Sequence, residues 1–336
     1  MNKSVCFFCS GPGWRAVHGA QDMENRTLGE DIIHLEGLKV SSQFSIPTFI
    51  LLLLIYTFAV VSNISLVSLI FTSRSLHQPM YLLFCNMSIN DIFGATIVTP
   101  HILRDIFIPQ PERYIRYIDC AFQAFCVHLY AGATHTVLMI MAFDRYMAIC
   151  NPLRYTTIMT NKMVAKLSLG AWTTALVLVA ILLGLTIRLS RCRRVILNPF
   201  CDNVSLFSLS CESVLINNIY GLSYTVVLLG SSIISVSLTY LKIAAVCVRS
   251  KNKALNNKAL QTCSTHLAVY IFLLASAFII VILHRFPQMS DIRKVVSVLC
   301  EVTLPAFNAI IYGLQIKEIK QRIIAVFYNR KVAQIK

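Results

Sequence analysis

Polar and ionisable side chains inside apolar runs are where this chain could do chemistry. The densest such place is the string Met141-Ala142-Phe143-Asp144-Arg145-Tyr146-Met147-Ala148-Ile149-Cys150-Asn151-Pro152-Leu153-Arg154-Tyr155. Asp144 and Arg145 stand where a long apolar run gives way to charge. An Asp–Arg pair is costly in hydrocarbon, so it belongs at a membrane boundary, facing protein or water. Its chemistry is charge pairing that can be made and broken. Pro152 fits the start of a loop, because a proline inside a helix loses a backbone hydrogen bond. Tyr240 and Tyr312 end apolar runs on the same side as Arg145 and Tyr146. They could rearrange with Arg145, or simply anchor at the interface.

Three more polar residues lie at comparable depth in other runs: Asn63, Asp91 and Asn308. A carboxylate at membrane depth is a functional candidate that should face the interior. Together the three could hold a water cluster or a small cation. A structural hydrogen-bond network between helices is at least as good a reading. His128 lies two helical turns after Cys120, and Gly132 one turn further, on one helix face. Tyr224, Phe278 and Val281 could complete an apolar pocket with them, and Glu301 is placed in the outer half of the seventh run. Arg285 follows His284; its guanidinium could clamp a ligand carboxylate or snorkel to the interface. Four cysteines, Cys120, Cys192, Cys201 and Cys211, share one side, and three pairings are open to them. Cys6 and Cys9 lack a second ligand pair at zinc spacing. There is no Gly-rich phosphate loop, GxSxG or HExxH, so neither catalysis nor a cofactor or metal is expected.

The elements that must position these residues follow from composition. The 336 residues are 56% hydrophobic and 13% charged, against about 25% charged in soluble domains. The net charge of +15 sits in short basic runs between apolar ones, as juxtamembrane Lys and Arg do, which argues against nucleic acid as a partner and for the lipid bilayer. Seven apolar segments are expected to span as helices, at about Pro47–Phe71, Met80–Leu103, Ala121–Ala148, Met163–Ile187, Leu215–Val246, Leu260–Leu283 and Val295–Leu314. Ile316, Ile319, Ile323, Ile324 and Phe327 recur at helical spacing among Lys317, Lys320 and Arg322, which suits a helix lying on the membrane surface. The fold class is therefore an all-α membrane protein, a seven-transmembrane helix bundle with a short amphipathic C-terminal helix. Residues 1–45 form an extracellular N-terminal segment, 46–314 the bundle, and 315–336 a cytoplasmic tail.

Of the 30 Lys and Arg, 16 fall on the side of the C-terminus and 14 on the other, too even a split to orient the chain. The four cysteines share a side with the sequons at Asn25 and Asn203. Disulfides and glycans both form in the secretory lumen. That places the N-terminus outside and makes Asn25 a glycosylation candidate on a multi-pass plasma-membrane protein.

These residues carry a resemblance. LHQPMY at Leu76–Tyr81, Asn86-Met87-Ser88-Ile89-Asn90-Asp91, MAFDRYMAICNPLRY, the cysteines of the long loop at 188–211, the Lys258–Leu267 string and Pro305, Asn308, Ile310, Ile311 and Tyr312 occur in order. Together they resemble the odorant (olfactory) receptors, a branch of the rhodopsin-like G-protein-coupled receptors. His128 and the His284-Arg285-Phe286 string are similar to the class I, fish-like subgroup. The resemblance implies disulfides Cys120–Cys201 and Cys192–Cys211, and a pocket drawing on spans three, five and six. It also implies a water-soluble odorant, often a carboxylate, and coupling of Arg145 to a stimulatory G protein that raises cyclic AMP.

The chain departs from the pattern at four places. The family's Asn-Pro in span seven is Asn308-Ala309, a lost kink source. Ser62 replaces a Gly, Thr134 an acidic residue, and Leu273-Leu274 an aromatic pair. The alternatives to an odorant receptor are a receptor-like protein with impaired signalling and a small-solute transporter. The latter would show an internal repeat and paired broken helices.

Overall fold

The computed structural model describes residues 31–249, 253–283, 286–315 and 320–321. Seven long helices make the bundle: α1 (Ser42–Thr72), α2 (Pro79–Asp105), α3 (Tyr117–Cys150), α4 (Asn161–Ile187), α5 (Leu215–Arg249), α6 (Lys253–Leu283) and α7 (Ser290–Gln315). Each is long and apolar enough to cross a membrane. A helix satisfies its own backbone groups, which hydrocarbon requires. The most apolar window of α3 is 67% buried, while that of α1 is 22% buried. α3 is thus the axis of the bundle, and α1 lies at its rim with Leu54, Phe58 and Val61 turned outward.

Asn25 and Arg285 lie outside the described residues, as does the proposed amphipathic helix beyond Gln315 except for residues 320–321. The structure differs from expectation at Pro152. Where a loop was expected, a seven-residue helix runs Pro152–Ile158 with the proline in its first turn. There the missing N–H would have had no helical partner anyway.

The four cysteines pair as Cys120–Cys201 and Cys192–Cys211. The first bond draws the long loop after α4 over the mouth of the bundle. Gln123 reinforces it. Its Oε1 accepts from the Cys201 N–H at 2.8 Å, and its Nε2 donates to Ile97 O in α2 at 3.1 Å.

A small sheet also covers this end. β1 (Ile32–Leu35) lies between β2 (Tyr114–Arg116) and β3 (Val195–Ile196), antiparallel to β2 and parallel to β3. Ile33 and Leu35 point down and are buried with Ile115 and Ile196. Arg113 holds the chain after β1, donating to Glu36 O, Leu38 O and Ile108 O at 3.0, 2.9 and 2.8 Å. The Lys294 side chain, 1% exposed, reaches from α7 to Glu36 Oε2 at 3.0 Å.

Candidate functional site

Three groups of residues are brought together along the bundle axis. At the disulfide end, α3 presents His128 and Gly132 to Tyr224 of α5. Tyr224 donates from its hydroxyl to His128 O at 3.4 Å, and the two rings meet edge to face at 6.4 Å. Gly132 allows this approach, since a Cβ there would stand 3.0 Å from Tyr224 Oη and 3.3 Å from Ala175 Cβ of α4. His128 Nε2 accepts from the backbone N–H of Asn203 at 3.2 Å, so the ring carries its proton on Nδ1. The loop that Cys201 anchors therefore caps the histidine directly.

Asn203 itself corrects the reading of its sequon. Its side chain is 3% exposed, and its Oδ1 accepts from Thr186 Oγ1 at 2.7 Å. Thr186 in turn accepts from Asn217 at 3.0 Å. The carboxamide is spent inside the fold and offers no accessible nitrogen for a glycan. The sequon pattern at Asn203 therefore does not mark a side of the membrane.

Phe278 is not brought to this group. It is 43% exposed on the outer surface of α6, and Val281 is partly buried. Glu301 of α7 has a buried Oε2 without a hydrogen-bond partner.

At mid-depth the amides and the carboxylate form a network. Asn308 Nδ2 donates to Asp91 Oδ1 and Oδ2, each at 3.1 Å. Asn63 donates to Ala59 O and across to Pro305 O, tying α1 to α7. Asn90, beside Asp91, donates to Thr134 Oγ1 at 2.8 Å and Tyr130 O at 3.2 Å. Thr134, where a carboxylate was expected from the resemblance, thus serves as a neutral link between α2 and α3. Ala309 is 4% exposed and packed in the apolar core, and α7 runs unbroken through it.

At the opposite end Asp144 is 1% exposed and accepts from Arg145 on Oδ2. Its Oδ1 accepts from the Tyr155 hydroxyl at 2.9 Å. Burial and the neighbouring Asp144 push the Tyr155 hydroxyl well above its ordinary value, so it stays a donor. Tyr240 of α5 bonds His266 of α6. Tyr312 stacks on Phe84 at 4.7 Å, and Lys242 stands 5.7 Å above the Tyr146 ring. A small cavity opens here, lined by Met80, Phe84, Asp144, Arg145, His266 and Tyr312 among others. Every candidate switch residue is at this end, and α2, α3, α6 and α7 converge on the space between them.

Residues 52–330 match the protein family described as "Olfactory receptor". The chain belongs to the olfactory receptor family. Human "Olfactory receptor 52N5" is 34% identical over 283 residues, which is 83% of this chain and 87% of the relative. Human "Olfactory receptor 52Z1P" is 34% identical over 87% of this chain and 96% of its own length. Human "Olfactory receptor 8G1" is 33% identical over 88% and 94%. The class I subgroup suggested by His128 and its neighbours is consistent with these relatives.

Several residues at the sites of this olfactory receptor escaped the sequence reading. His266 sits inside a quoted motif, but its bond to Tyr240 joins two helices and has no local signature. Tyr155 closes the Asp144-Arg145 string, and a tyrosine shortly beyond a buried acid was a signal available to find it. Gln123 lies one turn from Cys120 on α3; a polar residue at a disulfide-bearing helix end was the clue there.

Proposed function

We propose that this olfactory receptor binds a small odorant among α3, α5 and α6 in the outer half of the bundle. Binding favours a state in which the inner ends of α5 and α6 part and a stimulatory G protein engages, raising cyclic AMP. The disulfide-bearing end faces outside the plasma membrane, and the Asp144-Arg145 end faces the cytosol. Cytosolic thiols stay reduced, which suits two disulfides confined to one end.

The observation that carries this reading is the closure of the Asp144-Arg145 end. Tyr155 and Arg145 hold Asp144 from the same string, Tyr240 holds His266 across α5 and α6, and a cavity is left between them. A ligand shifts such a two-state element only by its difference in affinity for the two states. The contacts of His128 with Asn203 and Tyr224 supply a place where that difference could arise. A water-soluble odorant, including a carboxylate, suits the subgroup and the candidate clamp Arg285.

A cyclic-AMP reporter in transfected cells tests this, with panels of acids, amines, aldehydes and amino acids. Wild type is expected to respond to at least one panel member and Arg145→Ala to none. A surface-expressed wild type silent to every member would sink the reading for that chemistry. An acid response that survives Arg285→Ala would remove the carboxylate clamp.

A further inference from the structure

Three thiols that the proposed function does not use gather at the Asp144-Arg145 end. Cys150 closes α3, Cys247 lies in the last turn of α5, and Cys263 stands on α6 one turn before His266. Cys247 and Cys263 are each 6% exposed and pack in one cluster with Ile243, against which Cys150 and Tyr240 lie. Cys247 is within electrostatic range of both other thiols, and Arg145 is within range of Cys263. None of the three is in a disulfide. Cys150 is only partly buried, so solvent reaches it first. Among the described residues, the other thiols outside disulfides, Cys85, Cys126 and Cys300, do not belong to the cluster around Ile243.

We propose that this cluster is an oxidation site, at which Cys247 joins Cys150 or Cys263 in a disulfide that holds the inner end of the bundle shut. The inference rests on the proposed function in one respect: the inner ends of α5 and α6 must part for signalling. The oxidant class is a hydroperoxide. The Cys150 thiolate attacks one peroxide oxygen, the O–O bond breaks, and hydroxide leaves, which gives a sulfenic acid. The Cys247 thiol then attacks that sulfur. An S–S bond forms, the S–O bond breaks, and water leaves. Two thiols and one hydrogen peroxide thereby become one disulfide and two waters, with two electrons passing from sulfur to oxygen. Cys263 can next displace Cys150 by thiol–disulfide exchange, with Cys150 leaving as thiolate. A disulfide needs Cα atoms within about 7 Å, so either product fixes α5 to a neighbour at the level of Arg145 and Tyr240. In the reducing cytosol such a bond is transient, as a regulatory one must be.

The test uses the full-length receptor in membranes from intact cells. Hydrogen peroxide is applied, remaining thiols are blocked by an alkylating maleimide, and peptides are read by mass spectrometry. The expected product is a peptide pair joining Cys247 to Cys150 or Cys263, absent after reductant and absent in Cys247→Ser. If Cys247→Ser does not reach the membrane, the paired variant Cys150→Ser with Cys263→Ser serves, and it too should lack the bond. Cyclic-AMP output should fall at least severalfold in oxidised wild type and recover with reductant, with the variants unaffected. Full alkylation of all three thiols after peroxide overturns the proposal, as does a bond that persists between Cys150 and Cys263 in Cys247→Ser. A bond that forms without changing cyclic AMP overturns the lock. A reduced receptor that never signals counts against the proposed function instead, because the mass-spectrometric result does not depend on signalling.

Discussion

Asn308 donates one amide nitrogen to both carboxylate oxygens of Asp91, at 3.1 Å each. The pair joins α7 to α2 at a depth where Asp91 is 1% and Asn308 2% exposed. Hydrogen bonds within membranes average about 0.6 kcal/mol because the loosened helices find other partners. Stranding a buried hydrogen-bonding partner costs more, about 1–3 kcal/mol. Asn308→Ala should therefore lower the thermal midpoint of the detergent-solubilised receptor clearly, while Asn308→Asp, which places a second carboxylate at Asp91, should lower it further. A midpoint unchanged in both variants would show that the contact contributes nothing to the resting state.

The latch at the other end yields a smaller and more selective effect. Tyr155→Phe keeps the ring and removes only the donor to Asp144 Oδ1. A hydrogen bond to a charged group contributes about 1.5–3 kcal/mol, and solvent near the bundle end offsets part of it. Basal cyclic AMP should rise severalfold, with surface expression near wild type. Equal basal output in Tyr155→Phe and wild type would mean that Arg145 alone holds Asp144.

Much of this architecture was legible because it is written in local periodicity. Runs of about 20 apolar residues mark spanning helices whatever their neighbours are, and Asp91, Asn63 and Asn308 stand out in them as polar exceptions. The parts that were not legible depend on distant partners. β1 is four residues, Ile32–Leu35, and its partner strands come from beyond α2 and beyond α4. Nothing in Ile-Ile-His-Leu announces such a sheet. Phe278 stands in the outer half of α6, where the helix is apolar on nearly every side, and a helix without a polar face gives no cue to which way a side chain turns. Asn203 shows the same limit: a sequon is a pattern of three residues, and burial is decided by Thr186 and Asn217 on other helices.

Gly132 gives a prediction with an internal control. Its lack of a side chain leaves room for Tyr224 Oη, which a Cβ would approach to 3.0 Å. Overpacking of a well-filled site costs about 1–3 kcal/mol. Gly132→Ala should reduce both thermal stability and odorant response. Tyr224→Phe removes the crowding oxygen, so Gly132→Ala with Tyr224→Phe should be more stable than Gly132→Ala alone. If the double variant is as damaged as the sum of the two singles, the clash lies with Ala175 instead.

The sequons at Asn25 and Asn203 separate by gel mobility. Asn203 is buried and bonded, so Asn203→Gln should leave the glycosidase-sensitive shift of the receptor unchanged while lowering its yield. With Asn2→Gln in the background, Asn25→Gln should abolish the shift, as the proposed outward N-terminus requires. A shift lost in Asn203→Gln and kept in Asn25→Gln would overturn both the assigned burial and the glycan assignment.

The Glu36–Lys294 contact just after β1 should respond to acid. Partial burial pushes the Glu36 carboxyl up, but the ammoniums of Lys294 and Lys39 outweigh it and hold the group below its ordinary value. A folded-state value below the unfolded one means that the charged form stabilises the fold. That contribution is complete above the ordinary carboxylate value, about 4.3, and is lost as pH falls through the lowered one. Lys294 loses its partly buried partner in the same step, with the more exposed Asp291 at 3.5 Å left to it. Wild type should therefore melt higher than Glu36→Gln at pH 7, and the gap should close below about pH 4. Lys294→Met together with Lys39→Met removes both cations on which the gap depends, so Glu36→Gln in that background should change the midpoint little at either pH. A gap that stays constant from pH 7 to pH 3 would show that Glu36 acts through its packing and not through its charge.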